Sequence, residues 1–393
     1  AAGVAEFSGK WLGAAPGMTT QLGVHPVDPY ASEKPLFVIT PQNYSQYAEH
    51  LSEGQKAMFK RYPSTFRMNV YPSHRDFRFD EAACKVAAQN AASAELTANG
   101  QGVLNGFKGA APFPVPKSGL ELVWNMLLPL RAAWDYRDTD TAVVYPDGKI
   151  IRGWQLLWGY SRVCDPRLRG TPYDGVASYI RGVALLPERD KGTVKLIFDF
   201  FDYTKDARQG WFYNPDTRRV RQLPGYGFDQ PLETSGGTLV VDDVRLFNGP
   251  PIRYNWKNLG KKEIYIPYNG FRLEGKAAGE QKYTKLLTPG HENPEFVRWE
   301  LHRVWVLEAT LKEGYRHLYP RRVIYIDEDS WLASMADNFD ARGGLWRFGW
   351  VNNYYLPGPN IFNAGAAFYH DLNSGTYSAF DLVQCKPKSY IVN

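Results

Sequence analysis

Carboxylates at predicted strand ends are the residues of this sequence that could do acid–base chemistry. Asp327-Glu-Asp329 could supply the two acids that glycoside hydrolysis places on either side of the scissile bond. Asp327 and Asp329 can share one face of a strand, because side chains two residues apart point the same way. A solvated strand end is the stronger interpretation, and Asp242-Asp243 is interpreted in the same way.

The seven histidines form no recognisable catalytic or metal motif. His302 and His317 lie near two neighbouring predicted strands and could meet across them, which leaves a catalytic or metal role as the minor alternative. The sequence has no HExxH, no Gly-x-Ser-x-Gly elbow and no Gly-rich phosphate loop. We therefore expect no catalytic residues, no metal and no cofactor.

Aromatic side chains offer a different chemistry, the burial of an apolar ligand. Trp346, Phe348 and Trp350 alternate along one predicted strand, so they form either a core layer or the wall of a cavity. Burying roughly a dozen acyl methylenes would contribute about 10 kcal/mol before the cost of ordering. Strand parity is open, so about half of the candidates could point away. The candidate wall residues are Trp211, Tyr213, Trp305, Tyr325, Trp346 and Trp350.

The segment Trp211 to Pro224, WFYNPDTRRVRQLP, places three aromatics before a turn and a basic strand after it. Asn, Pro and Asp each favour a tight reversal, so the segment predicts a β-hairpin. Most Lys and Arg side chains are simply solvated. The functional alternative is a basic rim for a carboxylate or phosphate, with Arg218, Arg219 and Arg221 as candidates.

Residues 1–135 differ in texture from the rest and predict helices joined by irregular chain. Three capping signals mark the helix starts. The helices are expected from Ser52-x-x-Gln55 towards Tyr62, from Asp80 to Asn99-Gly100, and from Ser118 over Gly119 to Leu128. We expect this segment to pack on the second domain, residues 136–393.

Short β runs joined by turns dominate the second domain and predict an antiparallel sheet. Arg303–Leu307 and Val323–Ile326 are apolar at both parities, so both faces of the sheet need cover. The N-terminal helices can cover one face. The other must meet a partner, more protein or an apolar ligand. The predicted fold class is α+β, mainly β.

Composition narrows the classes of function. The 393 residues are 44% hydrophobic and carry a net charge of +5 with no long run of like charges, so we expect no nucleic-acid partner. No apolar run reaches the roughly 18 to 20 residues of a transmembrane segment. The opening Ala-Ala-Gly is typical of a chain after signal-peptide removal. Cys84, Cys164 and Cys385 allow one disulfide or three unpaired thiols.

Ordered sequence blocks along nearly the whole chain identify a family resemblance. The chain resembles a bacterial family of proteins of unknown function, a DUF family described as outer-membrane lipoprotein-sorting-like and related in fold to LolA and LolB. The blocks are Asp28–Phe37 (DPYASEKPLF), Phe59–Pro72 (FKRYPSTFRMNVYP), Pro112–Asn125 (PFPVPKSGLELVWN), the Trp211 hairpin, Val241–Asn269, Arg322–Trp331 (RVIYIDEDSW) and Asp340–Arg347 (DARGGLWR).

The resemblance implies a strongly curved antiparallel sheet, a half-open β-barrel of the LolA/LolB kind, with helices over its concave face. It also implies a periplasmic protein, at most peripheral to the outer membrane, that is not an enzyme. The N-terminal segment departs from LolA and could line, plug or extend the cavity. Lipoprotein sorting itself is therefore not carried over.

Three functions remain open on this basis. The first is a carrier or binding protein for a lipid or other hydrophobic small molecule, accessory to transport between the inner and outer membranes. The second is a non-catalytic adaptor that docks to an export transporter or an outer-membrane protein. The third is a glycan-active enzyme that uses Asp327 and Asp329 as acids.

Overall fold

The computed structural model describes residues 4, 21–75, 79–223, 228–276 and 282–392. The opening Ala-Ala-Gly and Pro224, on which two of the predictions above depend, lie outside the described residues. Among the described residues, no helix is both long enough and apolar enough to cross a bilayer.

The three predicted helices begin where their capping signals predict, and two short helices were not predicted. The α-helices are α1 (Glu53–Arg61), α2 (Glu81–Ser93), α3 (Gly119–Leu127), α4 (Phe271–Glu274) and α5 (Lys282–Leu286). The capping box of α1 is confirmed, because Ser52 Oγ accepts from the Gln55 amide at 3.1 Å and Gln55 Oε1 accepts from the Ser52 amide at 2.9 Å. Asp80 and Ser118 cap α2 and α3 by accepting a hydrogen bond from the amides of Ala83 and Glu121.

The predicted end of α2 is wrong. The helix stops at Ser93, and Asn99-Gly100 instead closes a small hairpin in which Glu95–Leu96 pairs with Val103–Leu104. Gly100 has φ +71°, which suits a turn as well as it suits a helix end. Local sequence therefore marks a chain reversal here without deciding which element precedes it.

Fourteen of the eighteen strands in the described residues lie after residue 133. They are β1 (Phe37–Ile39), β2 (Met68–Tyr71), β3 (Glu95–Leu96), β4 (Val103–Leu104), β5 (Trp134–Val144), β6 (Ile150–Ser161), β7 (Val176–Leu186), β8 (Val194–Phe200), β9 (Gln209–Asn214), β10 (Arg219–Gln222), β11 (Tyr254–Pro267), β12 (Trp299–Leu311), β13 (Arg321–Asp327), β14 (Ala333–Phe339), β15 (Leu345–Leu356), β16 (Ile361–Asp371), β17 (Tyr377–Leu382) and β18 (Ile391–Val392).

One large sheet holds nearly all of these strands. Its order is β1-β2-β12-β13-β14-β15-β16-β17-β5-β6-β7-β8-β9-β10, with β11 paired to β12 and β18 to β5. All pairs are antiparallel except β2 with β12, where Val70 lies beside Trp299 in parallel. The predicted hairpin is confirmed as β9 and β10, with Trp211 opposite Gln222.

The sheet is strongly curved and does not close into a barrel. β8 and β15 are six strands apart, about 29 Å along a flat sheet, yet side chains from both line one cavity. The predicted fold class, mainly β with a half-open curved sheet, is confirmed. The boundary predicted at residues 135 and 136 stays a prediction, although β1 and β2 of the N-terminal segment extend the sheet.

The two faces of the sheet are covered by different elements. On the α1 face, which carries Val304, Tyr325, Phe348 and Trp350, the core includes Met58 and Phe59 of α1 and Leu286 of α5. On the α3 face, which carries Leu307, Ile324, Ile326 and Val351, the core includes Leu122, Val123 and Met126 of α3 together with Leu239 and Phe247. Both covers are supplied by the chain itself.

A buried carboxylate fixes α1 on its face of the sheet. Asp337 on β14 accepts hydrogen bonds from the amides of Glu53 and Gly54, at 3.1 and 3.0 Å, and from the hydroxyl groups of Ser52 and Tyr325. These amides belong to the first turn of α1, which has no helical partners of its own. Burial raises the pKa of Asp337 to about 7 in spite of these donors.

Gly54 is required by this close approach. A Cβ at Gly54 would lie well under 3.0 Å from the Phe348 ring and from Asp337 Oδ1. Alanine normally stabilises a helix interior by about 1 kcal/mol relative to glycine. We expect Gly54→Ala to lower the free energy of unfolding instead, by about 1–3 kcal/mol, as overpacking does.

Urea unfolding followed by circular dichroism measures this change. Lys60→Ala, at an exposed position of the same helix, is the control and should stay within about 0.5 kcal/mol of wild type. A Gly54→Ala variant as stable as wild type would show that α1 can shift on the sheet.

Candidate functional site

A cavity of about 330 Å³ lies between the α3 face of the sheet, α3 and the segment 232–248. Its floor includes small residues on two strands, Gly182 and Ala184 on β7 and Ala364 and Ala367 on β16. Side chains no larger than a methyl group leave the concave face unfilled, where larger ones would close it. The small residues in these otherwise bulky strands therefore leave room for the cavity.

The walls of the cavity are mainly apolar. They come from the C-terminal end of α3, from β7 and β8, and from the segment 232–248. The apolar wall residues include Met126, Leu127, Leu128, Ile180, Ile197, Leu239, Val241 and Phe247. The volume is at the lower end of the roughly 300–1,000 Å³ range of ligand pockets and about twice that of a cavity that takes up benzene.

A buried ion pair lies at the inner end of the cavity. Arg137 Nη1 donates to Asp381 Oδ2 at 3.0 Å, and Arg137 Nη2 donates to Asp135 Oδ2 at 3.2 Å. Burial opposes the charge of Arg137, but Asp135 and Asp381 raise its pKa above the ordinary value. Burial raises the pKa of Asp381, an effect that Arg137 partly offsets. With Arg245, which lies 3.6 Å from Asp135, the group has two cations and two carboxylates, and it fixes β5 to β17.

Charged residues surround the mouth. Lys195 on β8 pairs with Glu233 at 2.7 Å, which bridges the sheet and the segment 232–248. Arg208 binds Asp199 and also donates to the Asn248 carbonyl at 2.6 Å. Arg131 follows α3, lines the cavity and is half-buried. In the part of the chain that the structure describes, Arg131 has no carboxylate within 4.0 Å.

A buried carboxyl group supports the floor from behind. Glu274 Oε1 accepts from the Ala366 amide at 2.9 Å and from Asn352 Nδ2 at 2.8 Å. A Cβ at Gly365 would collide with this carboxylate, so only glycine fits there. Burial raises the pKa of Glu274 to about 7.

A second polar group lies on the α1 face, at the end of β12 and β13. His302 Nε2 lies 2.8 Å from Glu300 Oε2, and Asp327 Oδ2 accepts from Ser330 Oγ at 2.6 Å and from the Tyr268 hydroxyl at 3.1 Å. Burial, and after it Asp329, raises the pKa of Asp327 to about 6. Burial works against a charged His302, but Glu300 raises its pKa.

A third polar group joins the segment 232–248 to β13. Arg322 is fully buried and contacts both Asp242, at 2.8 Å, and Asp243. His317 Nε2 lies 3.2 Å from Asp242 Oδ2, and the Tyr319 hydroxyl donates to Asp243 Oδ2 at 2.8 Å. These contacts hold one wall of the cavity against the sheet.

A family model for proteins of unknown function, DUF1329, matches residues 38–393. The chain belongs to the DUF1329 family. It is also 37% identical over 371 residues to the uncharacterised Pseudomonas aeruginosa protein PA3922, covering 93% of this chain and 80% of the relative. The predicted membership of a DUF family is therefore confirmed.

Solved structures similar to this DUF1329 protein include three of low sequence identity. A DUF1329 protein from Desulfovibrio piger has 16% identity and a TM-score of 0.42, over 64% of this chain and 83% of that one. A Vibrio parahaemolyticus domain named for outer-membrane lipoprotein sorting has 15% identity and a TM-score of 0.45, over 67% and 90%. A LolA superfamily protein from Nitrosomonas europaea has 12% identity and a TM-score of 0.40, over 71% of this chain and 94% of that one.

The six aromatic residues predicted as a wall are not brought together in this DUF1329 protein, and none of them is among the described residues that line the cavity. Trp211 and Tyr213 pair with Leu196 and Val194, whose side chains share the α1 face and not the cavity face. The physical reason is strand parity, since a shift of one residue changes the face.

The other four aromatic residues pack into the protein. Tyr325 and Trp350 belong to the core of the α1 face, where Trp350 stacks on Phe368 at 4.6 Å. Trp346 is half-buried and donates to Asp371 Oδ2 at 3.0 Å. Trp305 is on the α3 face, stacked on Trp331 at 6.4 Å. The Trp346, Phe348 and Trp350 stripe is thus a core layer at its buried end.

The predicted basic rim is at the edge of the sheet. Arg219 and Arg221 are exposed on β10, and Arg218 lies in the turn before it with φ +53°. None of the three lines the cavity among the residues described there. The charged residues at the mouth include Arg131 and Lys195 instead. These residues are far apart in the sequence, so no short basic segment predicts them.

The prediction of solvated acids is wrong, and the histidines do not meet as their minor alternative required. Asp327 and the pair Asp242-Asp243 are buried rather than solvated. His302 and His317 do not meet, because they face Glu300 and Asp242 on opposite faces of the sheet. Buried Asp327 cannot reach a glycosidic bond in this conformation. Cys84 is exposed and Cys164 buried, and neither forms a disulfide.

The functional residues that the sequence interpretation missed are the small ones. Gly182 and Ala184 alternate on β7, and Ala364 with Gly365 and Ala367 interrupt the bulky β16. Small residues in a predicted strand mark close approach or empty space. That signal was present in the sequence, but its meaning depends on which face each residue occupies.

Glu274 makes stability depend on pH. Its pKa is about 7 folded and near 4.5 unfolded, so the folded state holds the proton more tightly. Stability is greatest below about pH 4.5 and falls as pH rises towards 7, by about 3 kcal/mol for this group. We expect Glu274→Gln to remove that part of the fall.

The measurement is urea unfolding of wild type and variant at pH 5 and pH 8. The stability of Glu274→Gln relative to wild type should rise by about 2.5 kcal/mol between the two, because part of the fall has occurred by pH 5. Asp337 has a similarly raised pKa, but it is present in both proteins, so its contribution to the pH dependence cancels in the difference. Glu49→Gln, at an exposed site, is the control; a pH-independent difference for Glu274→Gln would contradict the assignment.

Proposed function

We propose that this protein is a periplasmic binding or carrier protein for a lipid or other hydrophobic small molecule, held in the cavity on the α3 face. The observation that carries the proposal is the cavity itself, an apolar space of about 330 Å³ floored by glycine and alanine on β7 and β16. A stable core would fill such a space, since interiors are close-packed.

The size of the cavity limits the ligand. About 330 Å³ suits one chain or one ring system and is small for a lipid with several acyl chains. Each buried methylene contributes about 0.8 kcal/mol, so a single chain binds usefully without a polar anchor. A carrier of this kind would move an apolar molecule through the aqueous space between two membranes.

The mouth favours an anionic head group. Arg131 lines the cavity, and among the described residues it forms no ion pair that neutralises its charge. A guanidinium group can bind a carboxylate or a phosphate in a bidentate manner. The proposed ligand is therefore an amphiphile whose chain occupies the cavity and whose anionic end lies at Arg131.

Neighbouring residues on β8 give a matched pair of variants. Ile197 lines the cavity, whereas Leu196 points to the opposite face. We expect Ile197→Trp to fill the space and weaken binding of a fluorescent twelve-carbon fatty acid about tenfold or more, a loss of at least about 1.4 kcal/mol. Leu196→Trp makes the same change in size and should bind as wild type does.

Titration of delipidated protein, followed by fluorescence, measures both affinities. The corresponding fatty alcohol should bind more weakly than the acid if Arg131 holds the head group. Equal loss of binding in the two variants, or none in either, would place the ligand outside this cavity.

The alternative of a non-catalytic adaptor has one observation in its favour. Beyond the cover of α1, aromatic rings cross the α1 face from strand to strand: Trp134 on Tyr160 at 4.0 Å, Tyr179 on Phe198 at 4.7 Å, and Phe198 on Trp211 at 4.9 Å. These rings are half-exposed or exposed. Such a surface suits docking to an export transporter or an outer-membrane partner.

Purification from the native envelope separates the two functions. A carrier should co-purify with extractable lipid in stoichiometric amount, and Ile197→Trp should lose that lipid. An adaptor should be purified without lipid but together with a membrane protein. The Trp211→Ser variant should no longer co-purify with that protein but should still bind the fatty acid. Lipid retained by Ile197→Trp would count against the carrier.

A further inference from the structure

The polar group on the α1 face has the geometry of a metal site. One ring nitrogen of His302 and one carboxylate oxygen each of Asp327 and Asp329 all lie within 4.8 Å of one another. Strand register explains this in part, because Val304 pairs with Asp327 at the end of β13, and His302 lies two residues before Val304 on the same face. The set is on the face of the sheet opposite the cavity.

Two of these side chains carry unused lone pairs in a buried place. His302 is 1% exposed and Asp327 is 0% exposed. Within the described residues, His302 Nδ1 and Asp327 Oδ1 have no hydrogen-bond partner. Buried polar atoms nearly always have a partner, so two orphans in one cluster require an explanation.

The other atoms of the same side chains are held in place. His302 Nε2 lies 2.8 Å from Glu300 Oε2, and Glu300 is itself bound by Arg298 and by the His74 amide. Asp327 Oδ2 accepts from Ser330 and Tyr268. Metal-binding histidines commonly give their second nitrogen to a carboxylate, and metal-binding carboxylates are hydrogen-bonded in turn. The pattern leaves one free ligand atom on each side chain.

The local charge favours a cation. Among the described residues of this ion-pair network, carboxylates outnumber the Lys and Arg side chains by two. The carboxylates are Glu33, Glu263, Glu300, Asp327, Glu328 and Asp329, and the cations are Arg75, Lys261, Arg298 and Arg303. A divalent ion would balance the excess.

Arg75 leaves room for a metal at Asp329. Arg75 Nε and Nη2 donate to the two carboxylate oxygens of Asp329 at 2.7 and 2.6 Å. A carboxylate offers about four lone-pair sites, so each oxygen keeps one. Asp329 can therefore bind Arg75 and a metal together.

One nitrogen and two carboxylate oxygens make a donor set of mixed nitrogen and oxygen ligands. Zinc binds histidine nitrogen and carboxylate oxygen at about 2.0–2.2 Å, whereas magnesium and calcium prefer oxygen alone. The three atoms would move slightly closer around such an ion. We propose that His302, Asp327 and Asp329 form a binding site for a divalent transition-metal ion such as zinc, with a water or a further ligand in the remaining position.

Calorimetric titration of the full chain with Zn²⁺, after removal of bound metal by EDTA, tests the site. Wild type should bind one ion per chain. Asp329→Asn and His302→Gln should each weaken the affinity about tenfold or more. Glu328→Gln is the matched control, because it removes the charge of a neighbouring carboxylate that is outside the ligand set, and its affinity should fall by clearly less than tenfold.

A folding control keeps the test decisive. His302 is buried, so its variant is interpreted only if its metal-free melting temperature and circular dichroism match wild type; half-buried Asp329→Asn carries the test otherwise. Bound Co²⁺ should give a visible absorption spectrum that Asp329→Asn changes. Folded wild type that binds no stoichiometric Zn²⁺, or Asp329→Asn that binds as wild type does, overturns the proposal. Neither result bears on the cavity ligand.

Discussion

The organisation of this protein depends on one constraint: the strands from β12 to β16 are apolar on both faces and must be covered twice. α1 covers one face, where Asp337 accepts hydrogen bonds from the first backbone amides of that helix. α3 and the segment 232–248 cover the other face. Over β6 to β8 the second cover contacts the sheet, as the Lys195–Glu233 ion pair shows, but leaves the cavity between them. The cavity and the half-exposed aromatic rings lie on opposite faces of the same strands.

Much of this architecture could be predicted from the sequence, because the signals are local. The α1 capping box, the β9–β10 turn and the two-faced strands are each set by residues within a few positions of one another. Face assignment is different. Trp211 and Ile197 are on different faces because of pairing register, which depends on bulges such as the one between Trp154 and Gln155. No short segment contains that information.

Buried charge is the second part that the sequence could not give. Asp242 and Asp243 resemble a solvated strand end until Arg322, some eighty residues later, is placed between them and the sheet. Glu274 and Asp337 are likewise buried against backbone amides of distant elements. A carboxylate can be buried when its donors are fixed, and those donors come from tertiary structure. Local sequence shows the acid but not its partners.

The open sheet has a further consequence at its last strand. A sheet that does not close exposes backbone groups along its edge, which can pair with another copy of the same chain. β10 is the edge strand of the described sheet, and Arg219 and Arg221 are exposed on it. Two molecules joined edge to edge here would bring these like charges together. The like charges of β10 therefore work against edge-to-edge pairing of two copies of the chain.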